Sequence, residues 1–411
     1  MIGLPPFLSF SENERILQLK ILMIILRTVK NISSLNIAAS VLLFLAAILA
    51  AVVANSSLSP VYQDFLLQEL HLRIGNFNLF SHGGHPLKMI EFINDCLMTV
   101  FFLAVGLEIK RELLVGELSS VRKAALPFIA ACGGMVVPVV IYALSVASGT
   151  PETRGMAIPM ATDIAFSLGV LSLLGKRVPL SLKIFLTAFA VVDDIGGILV
   201  IALFYSADVA YGYLIAAAVL YVFLYYMGKF GVTQKIFFLF FGVIIWYLFL
   251  QSGIHSTISG VILAFVIPAR PRLDAGKYIE RIRDIIGEFP VSKSDNIVLT
   301  NAQIATLKQV ERASDYVISP LQSLEDNLHG AVSFVILPLF AFANAGVVFS
   351  GSGSIVGDVS IAVAAGLLLG KFLGIYLFTW LAVKSGVALM PAGMNWKNIA
   401  GVSLLGGIGF T

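Results

Sequence analysis

Long apolar stretches alternate with short polar connections along the chain, and this pattern predicts a series of membrane-spanning helices. A helix needs about 20 apolar residues to cross some 30 Å of hydrocarbon. Stretches near that length follow one another at 35–54, 90–115, 124–147, 156–174, 180–205, 211–227, 236–250, 254–267, 327–349, 361–383 and from about 399 onwards. Segment 16–26 is too short to span and carries charges, so we expect an interfacial helix within residues 1–34.

Two stretches do not fit the spanning pattern. Residues 71–80 alternate apolar and polar side chains on either side of Gly75-Asn76, which predicts a small β-hairpin. Lipid does not tolerate open strand edges, so the hairpin should lie outside the bilayer, where an edge could pair with a second copy. Segment 269–318 is charged, and predicts a cytoplasmic helical insertion that divides the membrane domain into 35–268 and 319–411. It is either a docking surface or a tolerated elaboration.

Composition and charge support a polytopic membrane protein. Of 411 residues, 58% are hydrophobic and 12% charged, against about 25% charged in soluble domains. With a cytoplasmic N-terminus, 23 of the 27 basic residues fall on the cytoplasmic side and three outside, as the positive-inside rule requires. The basic residues are spread out, which argues against nucleic-acid binding. The five histidines and two cysteines form no zinc pattern, and no cofactor is predicted.

The adjacent pair Asp193-Asp194 lies in the middle of the span 180–205. Each aspartate at a helix centre costs about 2.5–3.5 kcal/mol, so the pair needs a partner, a proton or a bound cation. The two residues lie about 100° apart around a helix and cannot both point at one neighbour. Lys371, deep in its own span, could pair with one of them. The other carboxylate would then hold a proton or a cation, unless the group is only a structural ion pair.

Lys371 is also a candidate proton carrier, since burial disfavours its charged form and a nearby carboxylate favours it. Asp163 and Thr162 follow Pro159, which deprives a span of one backbone hydrogen bond. Broken helices commonly form ion sites in transporters. Asp163 could ligate an ion or neutralise a helix end, and Thr162 could offer oxygen ligands or bond its own helix. The glycine-interrupted segment 401–411 occupies the position expected for a second broken helix.

Other ionisable residues lie near the ends of the spans. Asp95, beside Asn94 in the outer third of the second span, either lines an access funnel or hydrogen-bonds across helices. Charged residues lie at the inner end of that span, and others begin the ninth span on the same side of the membrane. They are either solvated flanking residues or parts of a proton-sensing cluster. These charges are Glu108, Lys110, Arg111, Glu112, Glu325, Asp326 and His329.

Several motifs occur in a fixed order: FFLAVGLEIKRE at 101–112, ATDIAF at 161–166, VVDDIG at 191–196, LPLFAFANAG at 337–346, GK at 370–371 and GIGFT at 407–411. With them the chain closely resembles the NhaA family of bacterial Na⁺/H⁺ antiporters, from about residue 35 to the end apart from roughly 269–318. The resemblance implies an all-α polytopic inverted-repeat transporter of twelve helices, with two discontinuous helices crossing at mid-membrane and a small extramembrane hairpin. It implies a secondary transporter of the bacterial inner membrane, not an enzyme.

The resemblance also implies roles for individual residues. Asp194, Asp163 and Thr162 would bind Na⁺ or Li⁺, Asp193 would pair with Lys371, and Asp95 would lie on the route to the site. The hairpin at 71–80 would join two protomers of a homodimer. The implied pH-sensing cluster comprises Glu108, Arg111, Glu112, Glu325 and His329.

The resulting hypothesis is a carrier in which Na⁺ and protons compete for the same carboxylates, so that exchange stops at low pH and is active at alkaline pH. It is electrogenic if more than one proton moves per Na⁺. Two alternatives are an intramembrane aspartyl protease, whose Gly-x-Gly-Asp pattern is missing here, and a non-transporting sensor on the same fold. Gln322 and Ser323 replace basic residues expected in the family. The family also continues past the position of Thr411, so we expect either a piece of a longer protein or an inactive copy.

Overall fold

The structure is a computed structural model that describes residues 38–75, 77–82, 85–146, 151–160, 167, 170–171, 178–204, 209–270, 275–287, 300–349, 357–391 and 393–407. These residues are largely helical. The helices are α1 (Ala38–Ala54), α2 (Ser59–Leu67), α3 (Met89–Val115), α4 (Val121–Ser145), α5 (Leu180–Phe204), α6 (Tyr211–Lys229), α7 (Lys235–Ser252), α8 (Thr257–Val266), α9 (Ala275–Gly287), α10 (Asn301–Val317), α11 (Pro320–Asn344), α12 (Asp358–Lys384) and α13 (Trp396–Leu405). Short 3₁₀ helices cover Glu117–Ser119 and Pro151–Met160.

Six of these helices are long and apolar enough to cross a membrane, namely α3, α4, α6, α7, α11 and α12. Helices α1 and α2 together would form a seventh span, bent by 113° at the break between them. The faces of the spanning helices that point away from the other helices are apolar and exposed, as expected where lipid is the solvent. The predicted fold class, an all-α multi-pass membrane protein, is confirmed.

Two antiparallel ribbons lie between α2 and α3. Strands β1 (Arg73–Ile74) and β2 (Phe77–Asn78) form the predicted hairpin. Strands β3 (Ser81–His82) and β4 (His85–Pro86) form a second one that was not predicted, although Gly-Gly at 83–84 is a recognised turn signal.

Three membrane helices each contain one π-helical turn: Phe92–Leu97 in α3, Val332–Ile336 in α11 and Gly366–Gly370 in α12. A π turn inserts an extra residue and re-aims the side chains around it, and such turns are frequent at functional sites. Asp95 lies within the first, and Lys371 directly follows the third. No hydrophobicity pattern in the sequence indicated these turns.

Helices α4 and α12 pack backbone against backbone. Gly133 and Gly374 face each other so closely that a Cβ on either would collide with the other's carbonyl oxygen. A Cβ on Gly370 would lie 2.7 Å from the Cα of Pro138 in α4. Small residues permit this approach, which matters in lipid because helix association there depends on packing. Helices α5 and α13 complete this buried group through Phe189 and Val402.

The sequence placed some boundaries incorrectly. Helix α11 begins at Pro320, seven residues before the predicted 327, and ends at Asn344. Ser319 caps it, since its Oγ accepts a hydrogen bond from the Gln322 backbone N–H at 3.2 Å. Glu325, Asp326 and His329 interrupt the apolar run there and concealed the start. The predicted span 156–174 begins in a 3₁₀ helix, and most of it lies outside the described residues, as do residues 1–34.

Candidate functional site

The centre of the site is a buried ion pair between α5 and α12. The Lys371 ammonium donates a hydrogen bond to Asp193 Oδ2 at 2.5 Å, and neither side chain has any solvent exposure. Two charges can be kept in such surroundings only when they are paired, because desolvating each costs several kcal/mol. Lys371 directly follows the π turn Gly366–Gly370 of α12.

Apolar packing one turn away closes this pair off from water. Phe189 precedes Asp193 by four residues and Ile375 follows Lys371 by four, so each lies on the same helix face as its charged neighbour. A Cβ placed on Gly406, just after α13, would meet both of these side chains, and Gly134 of α4 faces them too. The ion pair therefore lies among α4, α5, α12 and the end of α13.

The neighbouring carboxylate has a different environment. Asp194 is half-buried, whereas Asp193 is buried. Gly197 lies three residues on, along the same helix face, and a Cβ there would meet no described atom within 4 Å. Asp194 is therefore less enclosed than Asp193, which is held by the Lys371 ammonium.

The predicted cation ligands Asp163 and Thr162 lie outside the described residues. The described residues that flank them, however, contact the same helices. Pro159 packs against the position of Gly366 in the π turn of α12. The Ser167 hydroxyl donates to the Leu405 carbonyl at 2.9 Å, at the end of α13. Described residues of the two segments predicted as interrupted helices therefore meet at Ser167 and Leu405, and the crossing of the segments remains a prediction.

Asp95 lies near the N-terminal end of α3, which is its predicted outer end, and lines an open pocket of about 590 Å³. Its Oδ1 accepts a hydrogen bond from Ser256 Oγ at 3.2 Å, and its carbonyl oxygen accepts one from Trp246 Nε1 at 3.3 Å. Other polar residues that line the pocket are Glu69, His82, His85, Lys88, Glu91 and His255.

Asn94, the residue before Asp95, makes a contact between helices. Its amide and that of Asn344, at the end of α11, donate to each other at 2.8 and 3.2 Å. Both Asn94 and Asp95 thus hydrogen-bond to other helices, and Asp95 also lines the pocket. Its role on an access route remains a prediction.

At the C-terminal end of α3, which is its predicted inner end, the structure brings together three of the predicted sensor residues. Arg111 Nη1 lies 3.0 Å from Glu112 Oε1, and Arg111 Nε donates to Glu325 Oε1 of α11 at 2.9 Å. The three side chains are 34%, 11% and 21% exposed. Glu108 precedes Glu112 by one turn, and His329 is exposed one turn beyond Glu325.

Sequence reasoning missed Lys235 in this region, and it did not predict the partners of Lys110. Lys235, at the start of α7, donates to Ser323 Oγ at 2.6 Å, and so brings a basic group from another helix to a position where the family pattern suggested one. Lys110 donates to backbone carbonyls at the end of α8. Neither contact has a signal in the local sequence, because each depends on which helices are neighbours.

A buried ion pair beside a half-buried carboxylate, within a bundle of apolar helices, is an arrangement typical of ion-coupled membrane transporters. The chain belongs to the Na⁺/H⁺ antiporter 1 family, whose model matches residues 30–411. The predicted family is thus confirmed, and the comparisons do not favour the aspartyl protease alternative.

Relatives named Na(+)/H(+) antiporter NhaA are similar over most of the chain. The protein of Bacteroides thetaiotaomicron is 75% identical over 389 residues, covering 95% of this chain and 89% of the relative. That of Phocaeicola vulgatus is 61% identical, covering 89% and 82%. That of Parabacteroides distasonis is 52% identical, covering 91% and 83%.

Proposed function

We propose that the chain exchanges Na⁺ or Li⁺ for protons across the bacterial inner membrane. Its family and the names of its relatives support this function. The observation that carries it is the fully buried Asp193–Lys371 pair directly beside half-buried Asp194. The basic residues on the cytoplasmic connections favour a cytoplasmic N-terminus.

Competition between Na⁺ and a proton for the Asp194 carboxylate couples the transport of the two ions. Asp194, with Asp163 and Thr162, binds either a dehydrated Na⁺ or a proton, because both together would leave uncompensated charge in a low-dielectric site. The outer pocket beside Asp95 gives ions and water access from the periplasm. Release of Asp193 by Lys371 frees a second group to carry a proton, so that more than one proton moves per Na⁺ and the cycle is electrogenic.

The cluster of Arg111, Glu112 and Glu325, with Glu108 and His329, regulates exchange by pH. Protonation of Glu325 would remove the ion pair that joins α3 to α11. Protonation of Glu112 would remove the ion pair that stabilises the inner end of α3. Asp95 lies on the same helix, so a change at the inner end alters the outer pocket. Acid also protonates the cation site, and both effects reduce exchange at low pH.

The hairpin β1–β2 joins two copies of the chain. It is a two-stranded ribbon with open edges, which is only marginally stable by itself and is completed by pairing with another strand. We therefore expect a homodimer whose two membrane domains are joined outside the bilayer.

The function is tested in proteoliposomes that hold a pH gradient reported by a fluorescent amine. Adding Na⁺ or Li⁺ at alkaline pH should collapse the gradient, K⁺ should not, and the response should fall as the pH is lowered. Asp194→Asn should reduce the Na⁺ response at least about a hundredfold, as loss of an essential charged group does. Asp358→Asn is the matched control, since Asp358 is exposed at the start of α12.

Electrogenicity is tested in the same vesicles by clamping the membrane potential with K⁺ and valinomycin. A faster response under the clamp supports more than one proton per Na⁺. A wild-type protein without cation-dependent gradient collapse, or an Asp194→Asn variant that keeps full exchange, would overturn the proposal.

A further inference from the structure

Helix α8 ends with carbonyl groups that its own backbone does not satisfy. The last four carbonyls of any α-helix lack intrahelical partners and carry a partial negative charge. The chain continues from Val266 into Ile267 and Pro268, with no glycine to form a C-terminal cap. A cap from elsewhere is therefore needed near the inner face of the membrane.

Lys110 supplies that cap from another helix. Its ammonium donates to the carbonyl oxygens of Phe265 at 2.7 Å and of Ala264 at 3.3 Å, and also to that of Ile267. The ammonium thus has three carbonyl acceptors, two in the last turn of α8 and one at the residue that follows it. A cation at a helix C-terminus is favoured by the helix dipole, more so where it is partly buried.

The cap lies where three helices join. Helices α3 and α8 already pack closely, since a Cβ on Gly106 would lie 2.8 Å from the Ala264 Cβ. The Leu321 N–H in the first turn of α11 donates to the Pro268 carbonyl at 3.2 Å, just beyond the capped residues. Arg111 follows Lys110 directly and pairs with Glu325 of the same helix α11.

The same two helices are joined at their outer ends. Ser256, immediately before α8, hydrogen-bonds the Asp95 carboxylate of α3. Between the two ends, a Cβ on Gly260 would lie 3.0 Å from the Leu103 backbone nitrogen. Helices α3 and α8 are therefore connected at both ends and in close contact between them.

We propose that Lys110 is a positioning residue for transport: by capping α8 with its ammonium it makes α3 and α8 move as one unit. The Asp95–Ser256 contact at the outer end and the Arg111–Glu325 pair at the inner end then keep a fixed relation to each other. This inference rests on the proposed transport function. Lys110 contacts α8 carbonyls and acts through them, so it affects the rate of the conformational step and not cation binding.

Transport kinetics give the first test. Lys110→Met should lower the maximal rate of Na⁺-dependent exchange about tenfold while the apparent KM for Na⁺ stays within about twofold. Lys110→Arg retains a cation with several donors and should recover at least about half of the rate. Lys123→Met, which removes an exposed lysine at the start of α4, is the matched control and should exchange like the wild type.

A second test does not depend on transport. Ile267 at the capped end is fully buried, so Ile267→Cys in a Cys96→Ser/Cys132→Ser background should react slowly with an impermeant maleimide from the cytoplasmic side. Adding Lys110→Met should speed labelling about tenfold by freeing this end, and adding Lys110→Arg should not. Equal labelling with and without Lys110, or a higher KM at an unchanged maximal rate, would overturn the inference. If the wild-type protein showed no Na⁺-dependent exchange, that result would contradict the proposed function. The labelling experiment would still test the cap at the end of α8.

Discussion

The Asp193–Lys371 pair and the Arg111–Glu325 pair use similar chemistry in different surroundings. The first has no exposure and lies among closely packed helices, whereas the second is 34% and 21% exposed near the C-terminal end of α3. Water screens the second pair, so the loss of either partner should cost little unfolding free energy. In the first pair neither charge can be left alone, so any step that separates the two must supply a proton, an ion or water.

The largest expected loss of unfolding free energy comes from removing one charge of the buried Asp193–Lys371 pair. Lys371→Met leaves the Asp193 carboxylate without the ammonium in a dry site, and should cost about 3–5 kcal/mol of unfolding free energy. Denaturation in detergent measures this. The double variant Asp193→Asn/Lys371→Met should regain at least half of the loss while remaining unable to exchange Na⁺ normally. A single variant as stable as the wild type would contradict the comparison.

The packing that surrounds the buried pair gives the next largest effect. Gly374→Ala inserts a methyl group into the contact with Gly133 and should cost about 1–3 kcal/mol, since overpacking forces the backbones apart. Gly401→Ala is the control, because a Cβ at this position of α13 meets no described atom within 4 Å. The control should be neutral or stabilising by up to about 1 kcal/mol, as alanine is the better helix former. Equal effects of the two variants would refute close packing at Gly374.

A smaller loss of unfolding free energy is expected at the Arg111–Glu325 pair. Arg111→Met should cost about 1 kcal/mol at low salt, and less at high salt, because partly exposed charges are screened. Unfolding at two ionic strengths measures this. Glu325→Gln should cost a similar amount, and the double variant should cost less than the sum of the two. A loss as large as that of Lys371→Met would remove the distinction between the two pairs.

The smallest effect is expected for the most exposed pair. Lys123 Nζ lies 4.0 Å from Glu117 Oε1, with side chains 56% and 40% exposed. Glu117→Gln should change the unfolding free energy by no more than about 0.5 kcal/mol. A larger loss would show that exposure is a poor guide to the contribution of ion pairs in this protein.

The sequence predicted the membrane helices well because about 20 consecutive apolar residues have few alternatives to spanning the bilayer. Predicted spans such as 180–205 and 211–227 correspond closely to α5 and α6. It also identified Asp193 and Lys371 as possible partners, since isolated charges in apolar stretches require them. Which aspartate the lysine would contact was open from spacing alone, and depends on the π turn before Lys371 and on the packing of α12 against α4 and α5.

Other features could not be predicted because they involve backbone atoms or distant segments. The partners of Lys110 are carbonyl oxygens, which carry no residue identity. Lys235 reaches Ser323 across 88 positions of the chain, and Asn94 reaches Asn344 across 250. The roles of Asp163, Thr162 and His329 remain predictions.

The contact between Gly133 and Gly374 limits how the protein can move. Two helices whose main chains touch have no layer of side chains between them along which to slide. The lysine on α12 must therefore travel together with α4, and any alternation between inward and outward openings has to occur at a different boundary, one lined by larger and more yielding groups.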